Sequence, residues 1–160
     1  MMNRAYLLLG GNLGNPEKNL AFARKFIADA AGTISRESCL YQTAAWGDQD
    51  QPDFLNQVLL LQTSLSAEAL LAKLLAIEHQ LGRVRTQKNA ARIIDIDILY
   101  FNGEVIHQPN LTIPHPAIAE RRFALVPLVE ISPDYVHPVL LETNSELLEK
   151  CTDQLDVKKI

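Results

Sequence analysis

The nine residues IIDIDILYF, 93–101, place two acids, Asp95 and Asp97, at alternate positions of an otherwise hydrophobic run. Side chains in a strand alternate between faces, so both carboxylates project from the same side, with their Cα atoms roughly 6.5 to 7 Å apart. The segment reads as a strand buried on its other face, and the rest of the chain must supply a sheet around it. Two parallel carboxylates on one rigid strand repel unless a cation lies between them. The cation that fits is Mg2+, a hard ion that takes oxygen ligands and typically uses one or two carboxylates plus substrate phosphates. An outward polar face on an edge strand is the plainer reading of the motif by itself.

The remaining periodicities say what kind of sheet this is. Ala5–Leu9 is a short apolar run stopped by Gly10 and Gly11, as expected of a buried strand running into a loop. Asn15 followed by Pro16 caps a helix in which Leu20, Ala23, Ile27 and Ala30 recur at helical spacing, with Gly32 as its stop. Thr33–Tyr41 and Phe54–Thr63 read as strands. Ser66 caps a second helix whose apolar face is Ala67, Leu70, Leu71, Leu74, Ile77 and Leu81. The order strand, helix, strand, strand, helix, strand predicts an α+β fold, a ferredoxin-like four-stranded antiparallel sheet with helices packed on it. A C-terminal extension follows. Asn102-Gly103 suggests a hairpin turn into Val105-Ile106, and prolines at 109, 114, 116, 127 and 133 divide the chain into short pieces. Residues 145–151 read as a terminal helix.

With 160 residues the chain is most simply one domain, 1–160, long enough to bury a core without staples. A net charge of −4 offers no general attraction to a polyanion, which argues against a nucleic-acid partner. Cys39 and Cys151 lack metal-binding spacing and read as reduced thiols, so the chain is expected to be cytoplasmic. The apolar start is too short for a signal peptide or a membrane span, so no membrane association is expected.

Just before the acidic strand lies GRVRTQKNAAR, residues 82–92, with Arg83, Arg85, Lys88 and Arg92 and no acid. Basic loops are ordinarily just solvated, but four cations beside two carboxylates match a nucleoside triphosphate site, where guanidinium forks hold phosphate oxygens. A second basic group follows in TIPHPAIAERRF, where His115 sits between two prolines and Arg121 and Arg122 come after. Trp46, Phe54 and Asn56, in or beside the polar loop TAAWGDQDQPD, suit a flat heterocycle with edge donors and acceptors. Ordinary turn and core packing is their plainer explanation. GGNLGN, residues 10–15, matches no phosphate-loop pattern and reads as a tight connection. No nucleophile elbow or HExxH motif is present.

Together these segments resemble the 6-hydroxymethyl-7,8-dihydropterin pyrophosphokinase family. KNAARIIDIDIL carries its signature, with GGNLGN, YQTAAWGDQDQPDFLN, IEHQLGRVR, LTIPHP and RRF in the family's order, so the likeness covers residues 5–135. It implies transfer of a pyrophosphoryl group from ATP to the hydroxymethyl of the pterin, with two Mg2+ ions, on a ferredoxin-like fold. By this resemblance Asp95 and Asp97 match the metal pair, and Arg83, Arg92, His115 and Arg121 the triphosphate contacts. Arg85, Ile98, Leu111 and Thr112 fall where adenosine is held, and Thr43, Ala44, Trp46, Phe54, Asn56 and Phe123 at the pterin. Arg83, Arg92 and Asp97 are the catalytic candidates, and a monomer acting on small molecules is expected. The chain departs from the family pattern at Ala44, Ala45, Asn89, Ala91 and Asn110.

Two other readings compete with this one. A non-catalytic ferredoxin-like ligand-binding module would need no paired aspartates. A metal-dependent nucleic-acid enzyme would need the long basic stripe this chain lacks.

Overall fold

β1 (Asn3–Gly11) lies at the centre of the sheet, antiparallel on one side to β4 (Phe54–Thr63) and on the other to β5 (Asp95–Phe101). A strand buried on both faces needs continuous hydrophobicity, and AYLLL supplies it: Ala5, Leu7 and Leu9 are buried on one face, Tyr6 and Leu8 on the other. The computed structural model describes residues 2–44, 51–83 and 92–160.

The expected strand 33–41 is two strands, β2 (Thr33–Glu37) and β3 (Tyr41–Thr43), both antiparallel to β4. Glu37 faces Leu59 while Tyr41 faces Asn56, so four steps along one strand oppose three along the other. The extra residue forms a break around Ser38, whose hydroxyl accepts the Val58 N–H at 3.0 Å. With β8 (Val157–Lys159) added beside β3, the sheet runs β5-β1-β4-β3-β8, and β2 pairs with β4 off that path. Among the described residues the sheet therefore has six strands where the sequence predicts four.

The first two predicted helices form, and the third, expected over 145–151, forms over Asn144–Lys150. In α1 (Pro16–Ala30) the Asn15 side chain accepts the Lys18 N–H at 3.1 Å, and in α2 (Ala67–Gln80) Ser66 does the same for Ala69 at 3.1 Å. Leu20, Ala23 and Ile27 of α1 and Leu70, Leu74 and Ile77 of α2 pack on one face of the sheet, against Leu7, Leu9, Leu59, Leu61, Ile96 and Ile98.

The other face carries Tyr6, Leu8, Val58, Leu60 and Tyr100, and it is covered by α3 (Arg122–Ile131) and α4 (Asn144–Lys150). The proline pattern predicts a break at Pro127, yet Pro127 lies inside α3. A proline inside a helix costs about 3 kcal/mol. Burial of Ala124, Leu125, Leu128 and Ile131 against the sheet offsets it. The Asn102-Gly103 turn forms, with Glu104 N–H donating to Phe101 O at 2.9 Å, but the chain does not return along β5. Instead β6 (Ile106–Gln108) pairs with β7 (Leu111–Ile113) through a turn at Pro109-Asn110. Cys39 and Cys151 are free thiols. Among the described residues no helix is long and apolar enough to cross a membrane.

Candidate active site

α3 and α4 leave one end of the second sheet face uncovered, and a cleft of about 560 Å³, its mouth included, opens there. Its floor is the sheet itself: Leu8 and Gly10 from β1, Asn56 from β4, Asp95 and Asp97 from β5. Register puts Asn56, Gly10 and Asp95 in one row across three strands, with Asp97 beside Leu8 in the next. A Cβ at Gly10 would stand 2.6 Å from Asn56 Oδ1, so a larger residue there would displace the Asn56 amide. Asn56 is buried, and its Nδ2 donates to Thr43 Oγ1 at 3.1 Å. Thr43, Ala44, Phe54, Arg92, Arg121 and Phe123 form the walls.

Two sources of cation converge on the acids. Asp95 Oδ1 receives Arg83 Nη1 at 2.6 Å, and Oδ2 receives Arg92 Nη1 at 2.9 Å. Arg83 also reaches the buried Glu78 at 3.0 Å. The Arg92 guanidinium lies 5.5 Å from the Phe54 ring centre, and Arg121 lies 5.6 Å from that of Phe123, so each cation rests on an aromatic wall. Asp97 differs from Asp95. Burial first, then the charges of Asp95 and Glu78, hold its carboxyl well above the usual range, only partly offset by Arg121 and Arg83. His115 is pushed down to about 4 by burial and then by Arg121, so it is neutral at pH 7. Its Nδ1 accepts the Ala117 N–H at 3.1 Å, which leaves the proton on Nε2 as a donor.

The donor set suits a hard divalent cation. A carboxylate whose ionisation is opposed by burial and by neighbouring carboxylates is a position that gains from added positive charge. Among the described residues no group of three or more His, Cys, Asp or Glu side chains could hold a metal, so the two aspartates would need phosphate oxygens and water to complete its shell.

Of the residues expected at the site, Thr43, Ala44, Phe54, Asn56, Arg92, Asp95, Asp97, Arg121 and Phe123 line the cleft. Arg83 and His115 are not part of the lining; Arg83 is ion-paired to the lining Asp95, and His115 feels the charges of Arg121 and Asp95. Ile98 and Leu111 are buried in the core on the α1/α2 side, and Thr112 is exposed on β7, so their side chains lie away from the cleft wall. Trp46 and Arg85 lie outside the described residues. Glu78, which is 2% exposed, joins the site without being among the residues expected there. Its signal was present, an acid four residues after Leu74 on the apolar stripe of α2. Gly10 likewise lines the cleft without being among the expected residues.

A family model for 7,8-dihydro-6-hydroxymethylpterin-pyrophosphokinase (HPPK) matches residues 6–133. The chain belongs to this family. A relative in the family, the 2-amino-4-hydroxy-6-hydroxymethyldihydropteridine pyrophosphokinase of Methylorubrum extorquens, is 43% identical over 136 residues, covering 84% of this chain and 86% of its own. The Haemophilus influenzae protein of the same name is 39% identical over 154 residues, covering 96% of this chain and 93% of its own. The crystal structure of Plasmodium falciparum HPPK-DHPS superposes with a TM-score of 0.79 at 20% identity, a likeness of fold. It covers 94% of this chain, which spans only 43% of the Plasmodium chain.

Proposed function

We propose that the cleft over Asp95 and Asp97 is where this pyrophosphokinase carries out its reaction. The chain transfers the pyrophosphoryl group of ATP to the hydroxymethyl group of 6-hydroxymethyl-7,8-dihydropterin, giving AMP and the pterin diphosphate, a step of folate biosynthesis. The observation that supports the placement is the row Asn56, Gly10, Asp95: an amide suited to a heterocycle edge shares a row, across the glycine, with a carboxylate that would face phosphate.

Asp95 and Asp97 would hold Mg2+, which we take as two ions that, when bound, neutralise triphosphate charge and make the β-phosphorus more electrophilic. Asp95 meets Arg83 and Arg92 at ion-pair distance, so these guanidiniums already occupy the place of a cation. On substrate binding they would turn from the carboxylate to phosphate oxygens, where a guanidinium fork stabilises the charge of the transferred group. His115 Nε2–H would add a neutral donor and Arg121 a third cation. Phe54 and Phe123 would flank the pterin ring while Asn56 reads its edge. Attack of a primary alcohol on phosphorus needs in-line placement and exclusion of water more than covalent help.

The sheet order β5-β1-β4-β2 supports reading the core as ferredoxin-like, with α3, α4 and β8 as additions that complete a single domain over 1–160. Free Cys39 and Cys151 suit a reducing, cytoplasmic setting. Incubation with ATP, Mg2+ and the hydroxymethyl dihydropterin tests the reaction. AMP and pterin diphosphate are expected, and formation of ADP would overturn pyrophosphoryl transfer.

A further inference from the structure

The turn GGNLGN leaves β1 for α1, and beyond Gly10 the reaction uses none of it. Within it Asn12 is 4% exposed, in a connection where a polar side chain ordinarily faces water. Its bonds explain the burial. Asn12 Oδ1 accepts the Arg92 N–H at 2.9 Å, while the N–H groups of Asn12 and Leu13 donate to Arg92 O at 3.0 and 3.1 Å. One turn thus grips the backbone of Arg92 through both its donor and its acceptor. The other end of the amide, Asn12 Nδ2, donates to Gln51 Oε1 and to Pro52 O, both at 3.0 Å. Pro52 is two residues before Phe54, the ring beneath the Arg92 guanidinium.

Gly11 makes the grip close. A Cβ at Gly11 would stand 2.3 Å from Ile93 O, so only glycine lets the end of β1 lie against the chain entering β5. The Arg92 backbone is thereby fastened to the central strand of the sheet. Its side chain reaches from there to Asp95 and over Phe54.

We propose that Asn12 is a positioning residue that sets Arg92, and with it the strand carrying Phe54, relative to Asp95. The inference rests on the assignment of Arg92 to the transferred phosphoryl group and deepens it. Phosphoryl transfer depends steeply on placement, and a guanidinium released from its backbone anchor would lose alignment with the phosphate while remaining charged and nearby. Asn12 touches no reacting atom on this account and acts through Arg92.

A double-mutant cycle over Asn12→Ala and Arg92→Ala separates this role from a merely structural one. We expect Asn12→Ala to lower kcat about tenfold in the otherwise native enzyme, with KM little changed. In the Arg92→Ala background the same change should cost less than about twofold, because the group it positions is gone. The thermal unfolding midpoint should fall equally in both backgrounds, marking the structural part. Equal fold-losses of kcat in both backgrounds, with Arg92→Ala itself impaired, would overturn the positioning role and leave the assignment of Arg92 standing. Unchanged turnover in Arg92→Ala alone would overturn both. Should Asn12→Ala not fold, Asn12→Ser keeps a polar side chain too short to replace Oδ1, and the same cycle is run with the same expectations.

Discussion

Glu78 Oε2 accepts the backbone N–H of Ile96 at 2.7 Å, at the one residue that separates Asp95 from Asp97. The same oxygen lies 3.0 Å from Arg83 Nη1. A carboxylate from α2 thus reaches the acidic strand from the core side and pins it between its two cleft-facing acids, while holding the guanidinium that neutralises one of them.

Glu78→Ala should leave the Ile96 N–H unsatisfied and the Arg83 cation partly unpaired in a buried place. We expect a loss of about 3 kcal/mol in unfolding free energy, read from urea denaturation. Glu78→Gln keeps an acceptor for Ile96 and should lose less. Native stability in Glu78→Ala would show that the pin is not used.

Asp95→Ala and Asp97→Ala should each lower turnover by at least about 100-fold with the fold retained, because neither residue contributes apolar core. For Asp97 the sign is particular. Its ionised form is disfavoured by burial and by Asp95 and Glu78, so its removal relieves repulsion at neutral pH. The ligand-free Asp97→Ala protein should unfold at a midpoint no lower than the native one. Full activity of either variant with Mg2+ present would remove the metal assignment.

Arg92→Ala should reduce kcat by about 100-fold while changing KM for ATP by less than about threefold, as expected of a group matched to charge that develops in the transition state. Arg85→Ala is expected to do the reverse and raise KM. Steady-state kinetics on both variants decides it, and a change confined to KM in Arg92→Ala would assign that residue to ground-state binding.

His115 gives a pH dependence with a definite direction. Its folded-state value is pushed from 6.5 down to about 4, by burial and then by Arg121. Above 6.5 both folded and unfolded chains hold it neutral. As pH falls between those two values the unfolded chain takes up a proton that the fold refuses, so stability should drop across that window. His115→Gln, which still offers a donor, should flatten the drop in denaturation curves recorded over the same range. An unchanged slope would place the proton uptake elsewhere.

The elements read directly from the sequence were those whose signals are local. Asn15-Pro16 and Ser66 cap their helices as their chemistry requires, and AYLLL is the buried strand that its continuous hydrophobicity predicts. The common face of Asp95 and Asp97 follows from strand period alone, with no knowledge of a partner strand. Nothing local could show that Asn56 stands opposite Gly10, because that register is set by pairing between strands 46 positions apart in sequence. Pro127 reads as a breaker until the sheet face that α3 buries is present. β8 has only three residues, and it is a strand because β3 offers it an edge. Glu78 and Asn12 were visible as polar residues in a helix stripe and a tight turn. Only the tertiary fold brought the backbone N–H groups of Ile96 and Arg92 to them, because a buried carboxylate or amide takes its role from whichever distant chain satisfies it.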